Sequence, residues 1–386
     1  MKFLGISLGS ELNELKKFES LEQKERQIVF YSENKNSLFI FESLIDELIS
    51  NHNCSICYVT SSKDEPILKT SNKKIKTFCI GEGIARTKFF LNLKADILIM
   101  TMPDLETFHI KRSKIYPVHY VYIFHSMIST HLGYRKEAFD HFDSIFCVGD
   151  YQIKEIRSAE RIYGLKPKNL IPFGYNHLDN LIIKYSNIIK SNSKNQIQIL
   201  IAPSWGEEGL FEKCGDKIIF LLLELGYKII FRPHPMTRKK SIKKIHQIEK
   251  SFASNHNFIL EEEITNFDSF LFSDLMISDW SGAALEYAFT LEKPILYVDV
   301  PKKNNNPNFL DIPHIPIEES IRDKIGEIIS VENIELIPIK IEELLKKSDF
   351  WKSQIKKVKN EMIFNIHKSD KIGAKEIMKI LNQLND

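Results

Sequence analysis

No Asp-x-Asp pair occurs anywhere in the 386 residues, which argues against a transferase that holds its nucleotide through a divalent metal. No G-x-x-x-x-G-K-[ST] element occurs either, so there is no P-loop. H-E-x-x-H and paired C-x-x-C elements are missing, and no zinc site is suggested. Cysteine is limited to Cys54, Cys57, Cys79, Cys147 and Cys214. Cys54 and Cys57 have metal-ligand spacing but no second pair, and that spacing on a strand points them to opposite faces. Buried thiols are therefore expected. An excess of one charge is also lacking. The net charge of +2 argues against a dedicated nucleic-acid partner. No apolar run reaches transmembrane length, since the longest, Ile218 to Leu223, stops at Glu224. Met1-Lys2-Phe3-Leu4-Gly5 lacks the apolar core of a signal peptide, so a cytoplasmic location is expected, with peripheral contact to the inner face of the membrane.

The composition, 43% apolar and 27% charged, is that of a soluble globular protein, and the length suits two domains. Strand-like and helix-like segments alternate, the pattern of parallel sheets with crossover helices. Strands are predicted near Ile28–Tyr31, Ser55–Thr60, Lys76–Ile80, Asp96–Thr101, His119–His125, Ser144–Val148 and Leu170–Phe173. In the second half they are predicted near Ile197–Ile201, Lys228–Phe231, Phe258–Leu260, Leu275–Ser278 and Ile295–Val298. The Ser/Asn/Lys-rich stretch from Lys184 to Asn195 reads as a linker between domains at 1–190 and 191–386. From about Ile341 to Leu384 the chain reads as helix throughout. The expected fold class is α/β, two Rossmann-like domains facing across a cleft, with a helical C-terminus.

The polar motifs fall at predicted strand ends, where open α/β sheets bind ligands. Ser278-Asp279-Trp280-Ser281-Gly282 opens a helix of small residues, and free N–H groups at such a start attract anions. Glu286, farther along, is placed to meet ribose hydroxyls. The plain alternative is a βαβ unit with Ser281 as N-cap. Arg232-Pro233-His234-Pro235 ends another strand with a cation and an imidazole, suited to a negatively charged substrate. His125, at the end of Val121–Phe124 and followed by Ser126, is either a general base for an alcohol or a packing residue. Ser204 and Trp205 close another strand and face donor phosphates or ribose, or serve as ordinary loop. Gly174-Tyr175-Asn176-His177-Leu178-Asp179 turns the chain after a further strand. Gly81-Glu82-Gly83-Ile84-Ala85-Arg86 half-matches G-x-G-x-x-G, and is an acceptor-side phosphate cradle or only a tight turn. Glu261-Glu262-Glu263 reads as a solvated turn. Lys111-Arg112-Ser113-Lys114, near Phe108, and Lys346 to Lys359 fit an anionic membrane surface or a solvated face.

Five of these pieces, in order, resemble the CDP-glycerol glycerophosphotransferase family, which builds teichoic acids and related capsule polymers. Phe124-His125-Ser126 resembles its aromatic-His-Gly element, and Gly174-Tyr175 through Leu178-Asp179 its Gly-Tyr-Pro-Arg-x-Asp element. Ala202-Pro203-Ser204-Trp205, Arg232-Pro233-His234-Pro235 and Ser278-Asp279-Trp280-Ser281 resemble its Ala-Pro-Thr-Trp, Arg-x-His-Pro and Ser-Asp-Tyr-Ser-Ser. The resemblance implies a GT-B-like fold, an N-terminal acceptor domain, a C-terminal donor domain and no required metal or other cofactor. It also implies His125 as base and His234 as stabiliser of donor phosphate charge. Ser281 and Gly282 would offer N–H groups to the diphosphate, with Arg232 supporting. Three departures stand out: Ser126 for Gly, Asn176-His177 for Pro-Arg, and Gly282 for the second Ser. Ser126, His177 and Arg86 are placed on the acceptor side.

The expected reaction moves glycerol phosphate, or a related polyol phosphate, from a CDP-activated donor to a hydroxyl of a lipid-linked or growing glycan, releasing CMP. A nucleotide-sugar glycosyltransferase of the same fold and a non-catalytic nucleotide-binding partner are the alternatives.

Overall fold

The computed structural model describes residues 5–35, 37–107, 110–187, 196–261 and 267–385. Most of the proposed linker, residues 188–195, lies outside them, as do Phe108, Glu262 and Glu263.

Thirteen strands are described: β1 Ile28–Ser32, β2 Ile56–Thr60, β3 Ile75–Cys79, β4 Ile97–Met100, β5 His119–Ile123, β6 Ser144–Cys147, β7 Asn169–Pro172, β8 Gln198–Ile201, β9 Lys228–Phe231, β10 Phe258–Leu260, β11 Leu275–Ser278, β12 Ile295–Asp299 and β13 Gly326–Ser330. They form two parallel sheets, ordered β3-β2-β1-β4-β5-β6-β7 and β10-β9-β8-β11-β12-β13. The central strands are short, β-branched and buried along their whole length, as a sheet covered by helices on both faces requires. The order reverses between β1 and β4 in one sheet and between β8 and β11 in the other. Loops leaving neighbouring strands diverge there, so a crevice opens at the carboxyl ends. Both halves thus place their strand-end motifs at a crevice.

The edge strand β13 escapes the sequence pattern because Glu327 and exposed Ile328 interrupt its apolar character. The C-terminal helix is also not continuous. It runs Ile337–Lys346 and Ser348–Met362, then breaks before Ser369–Asn385. At the break Asn365 and His367 adopt left-handed backbone angles, and the Phe364 N–H donates to Val148 O at 2.9 Å. The final helix then packs on Leu38–Ser50 and Asn176–Ser186, helices of the first half. Gly174, at φ +102°, lets the crossing segment pass, because a Cβ there would strike the Phe364 carbonyl. Asp179 fastens it, accepting from the His367 N–H at 2.8 Å and from Ser369.

Candidate active site

A cavity of about 440 Å³ lies between the carboxyl ends of the two sheets. His125, Ser126, His177, Ser204, Trp205, Arg232, His234, Ser281, Gly282 and Glu286, all singled out from the sequence, line it together.

His125 follows β5, and β5 pairs with β4, so the ring reaches the carbonyl at the end of the neighbouring strand. Its Nδ1 is 3.2 Å from Thr101 O. A carbonyl only accepts, so Nδ1 carries the proton and Nε2 presents a lone pair. The ring is open to water within the cleft, yet protein surrounds it, and burial lowers its pKa from 6.5. It is therefore neutral at pH 7. His234 has the opposite tautomer. It caps the helix Pro235–Lys240, and its Nδ1 accepts from the Met236 N–H at 3.0 Å. The proton then sits on Nε2. Burial first, and Lys303 second, bring its pKa down to about 4. One cleft wall thus offers an imidazole acceptor and the other an imidazole donor.

Arg232 closes β9 and is held by Glu261 at 3.3 Å, with its guanidinium 5.2 Å from the Phe267 ring centre. Burial lowers its pKa, opposed by Glu261, but a guanidinium stays cationic. Glu261 is therefore an ion-pair partner and not a solvated turn, because β10 runs beside β9. Lys303, in the loop after β12, adds a second cation to this wall, with burial lowering its pKa to about 8. Its ammonium lies 4.1 Å from the Trp205 ring, and that of Lys240 lies 4.4 Å from it.

Two expected donor contacts serve the frame instead. The Ser278 hydroxyl donates to Ala202 O at 2.7 Å, and Asp279 accepts from the N–H groups of Ser204 at 2.6 Å and Leu210 at 2.9 Å. Both are buried and neither lines the cavity, because their side chains point inward to join the loops after β8 and β11. Arg86 is not among the residues that line the cavity. Its helix, Ile84–Asn92, follows the edge strand β3, and its charge acts on Tyr31 and Glu33. The preceding turn is no phosphate cradle either, since the Glu11 carboxylate abuts Gly81.

His177 is only 3% exposed, with its ring 4.3 Å from Phe39 and 4.9 Å from Phe267. Burial, then Arg232, brings its pKa down to about 3, so it is neutral. Glu286 is tied to the first half in a way the sequence did not suggest. The Tyr175 hydroxyl is 2.8 Å from Glu286 Oε1 and 2.9 Å from His125 O. A hydroxyl has one proton and the carbonyl can only accept, so both bonds are made together when Glu286 itself is protonated. Burial agrees, raising the Glu286 pKa to about 7.

Sequence reasoning missed Lys303, Tyr134, Phe39, Phe267 and Glu318 in the lining. Phe39 and Lys303 follow β1 and β12, so the strand-end rule could have reached them. Glu318 could not be found this way. It approaches from the Ile317–Ser320 helix and accepts from the Ser129 N–H across the cleft at 3.1 Å.

The basic stretches are partly committed internally. Arg112 pairs with Asp143 at 2.9 Å, and buried Lys359 pairs with Glu292 at 2.9 Å. Among the described residues no group of three or more His, Cys, Asp or Glu is placed to hold a metal ion, and no helix is long and apolar enough to cross a membrane.

Residues 14–304 match the family described as CDP-Glycerol:Poly(glycerophosphate) glycerophosphotransferase. The chain belongs to that family. As a glycerophosphotransferase it is an enzyme that uses a CDP-glycerol donor. No curated protein matches it in sequence. Among solved structures it is similar to the wall teichoic acid polymerase TagF soaked with CDPG, at 14% identity and TM-score 0.62, over 99% of this chain and 96% of that one. It is also similar to the UDP-GlcNAc 2-epimerase of Neisseria meningitidis bound to UDP-GlcNAc, at 15% identity and TM-score 0.58, over 91% and 100% of the two chains. The S. aureus MnaA–UDP co-structure matches at 13% identity and TM-score 0.58, over 93% and 97%. At such identities the likeness shows a shared GT-B-like fold of this glycerophosphotransferase.

Proposed function

We propose that this glycerophosphotransferase moves glycerol phosphate from CDP-glycerol to a hydroxyl of a growing cell-surface polymer. The facing imidazoles of opposite tautomer carry the reading. His125 Nε2 takes the proton from the acceptor hydroxyl. The acceptor oxygen attacks the β-phosphorus in line, the bond from that phosphorus to the bridging oxygen breaks, and CMP leaves. His234 Nε2–H and Arg232 face the developing phosphate charge, as do the open N–H groups at Ser281 and Gly282. In this reading residues 1–190 hold the acceptor, 191–386 hold the donor, and neither a metal nor another cofactor takes part. The enzyme works in the cytoplasm, and a lipid-linked acceptor would bring it to the inner membrane face.

The test is release of CMP from CDP-glycerol, CDP-ribitol, CMP-sugars and UDP-sugars, with and without EDTA. CMP from a CDP-polyol in EDTA supports the reading. Turnover of a sugar nucleotide alone would move the chemistry to a glycosidic bond, and activity lost in EDTA would remove the metal-free mechanism.

A further inference from the structure

Two of the three departures from the family motifs, Ser126 and Gly282, lie on opposite walls of the cleft and touch. A Cβ placed on Gly282 would strike the Ser126 hydroxyl, and would stand 3.3 Å from Ile128 Cγ2 and 3.7 Å from Ser126 Cβ. Gly282 is not among the residues with left-handed φ, so its backbone would accept a side chain. A side chain there would displace the Ser126 hydroxyl from its present position and press on Ile128, so the glycine leaves room for the serine.

The place where they meet is chemically open. Ser126 lines the cavity, and among the described residues its hydroxyl has no hydrogen-bond partner. Ser281, at the N-cap of the helix Gly282–Leu291, makes no capping bond, so the first N–H groups of that helix stay available. His234, Arg232 and Lys303 line the same cavity, which makes it suited to an anion. Relative to the family motif, one hydroxyl has moved from the helix start to the facing loop, and a glycine has moved the other way.

We propose that Ser126 is a donor-binding residue, not an acceptor contact. Its hydroxyl reaches over Gly282 and donates to a phosphate oxygen of the donor diphosphate, in the place a serine side chain at 282 would otherwise fill. The donor is then gripped by a residue of the wall that carries His125, and a filled phosphate site draws the two walls together. The identity of the donor rests on the glycerophosphotransferase reading; the pairing does not.

The experiment compares wild type with Ser126→Ala, Gly282→Ser and the exchange variant S126G/G282S. It measures kcat and KM for CDP-glycerol, and separately the affinity for CDP by calorimetry. Ser126→Ala should raise the KM and weaken CDP binding by roughly tenfold or more, as for a lost hydrogen bond to a charged group, with a smaller change in kcat. Gly282→Ser should be worse through the collision, and the exchange variant should recover to within a few-fold of wild type. An exchange variant no better than Gly282→Ser would overturn the pairing, as would unchanged CDP affinity in Ser126→Ala. Ser126→Ala keeps the Cβ and alters no backbone preference, so its result stands even if Gly282→Ser folds poorly. If wild type turns over no CDP-glycerol, the donor assignment fails, while CDP binding across the four proteins still decides the role of Ser126.

Discussion

The two walls of the cleft have different chemistry although they come from sheets of nearly the same strand order. The second-sheet wall carries Arg232, Lys303, the Nε2–H of His234 and an uncapped helix start, all of which favour negative charge. The first-sheet wall is neutral and largely apolar, with Ile128, Leu132, Tyr134 and Phe39 around two uncharged imidazoles, His125 and His177. One topology thus supports two tasks. Under the proposed function its crevice would hold a charged diphosphate where the loops after β8, β9 and β11 are cationic or rich in free N–H groups. Under the same proposal it would receive a neutral alcohol where the loop after β5 begins with a neutral histidine.

That contrast can be broken from either side. Removing the base has the largest expected effect: His125→Ala should lower kcat on the order of 10²–10⁴-fold while leaving CDP affinity near wild type. His234→Ala should lower kcat/KM roughly 10²–10³-fold, like one lost oxyanion donor, and should also weaken CDP binding. Equal loss of CDP affinity in both variants would erase the difference between the walls.

The contrast can be sharpened through pH. Burial holds His125 below its ordinary 6.5, so the acid limb of the kcat/KM profile should fall below pH 6.5. An acid limb above that value would remove His125 as base. Asp279→Ala should act on stability more than on chemistry, costing roughly 1–3 kcal/mol for each buried N–H left without a partner. A urea titration reads this directly, and an unchanged midpoint would return Asp279 to a ligand role.

The smallest effect concerns Glu286. Its native pKa of about 7 lies above the ordinary 4.5, so the native state keeps a proton that the unfolded chain has released. Its contribution is fully present below 4.5 and is lost as pH rises through about 7. Glu286→Gln cannot lose that proton, so the variant should gain stability relative to wild type between pH 5 and pH 8. A difference in stability that does not change with pH would show that Glu286 is ionised in the native protein.

Most strands were legible because each is a short apolar run bounded by turn residues, and the site motifs were legible because they end those runs. The edge strand β13 was not, since half-exposed edges lose the apolar signal. Asp279 and Ser278 were read as ligands because a polar residue at a strand end looks the same whether it faces the crevice or the neighbouring loop. Arg86 was drawn toward the site by its glycines, but strand order put β3 at the sheet edge.

By itself the sequence determined the alternation of strand and helix, the family, and the residue types at each strand end, because these depend on local period and on short contiguous motifs. Which of those residues share one cavity was decided only by the tertiary structure. So were the tautomers of His125 and His234, the proton on Glu286, the crossing held by Asp179 and the contact of Ser126 with Gly282. Each depends on a partner more than a hundred residues away or on a neighbouring carbonyl or N–H whose direction the fold sets.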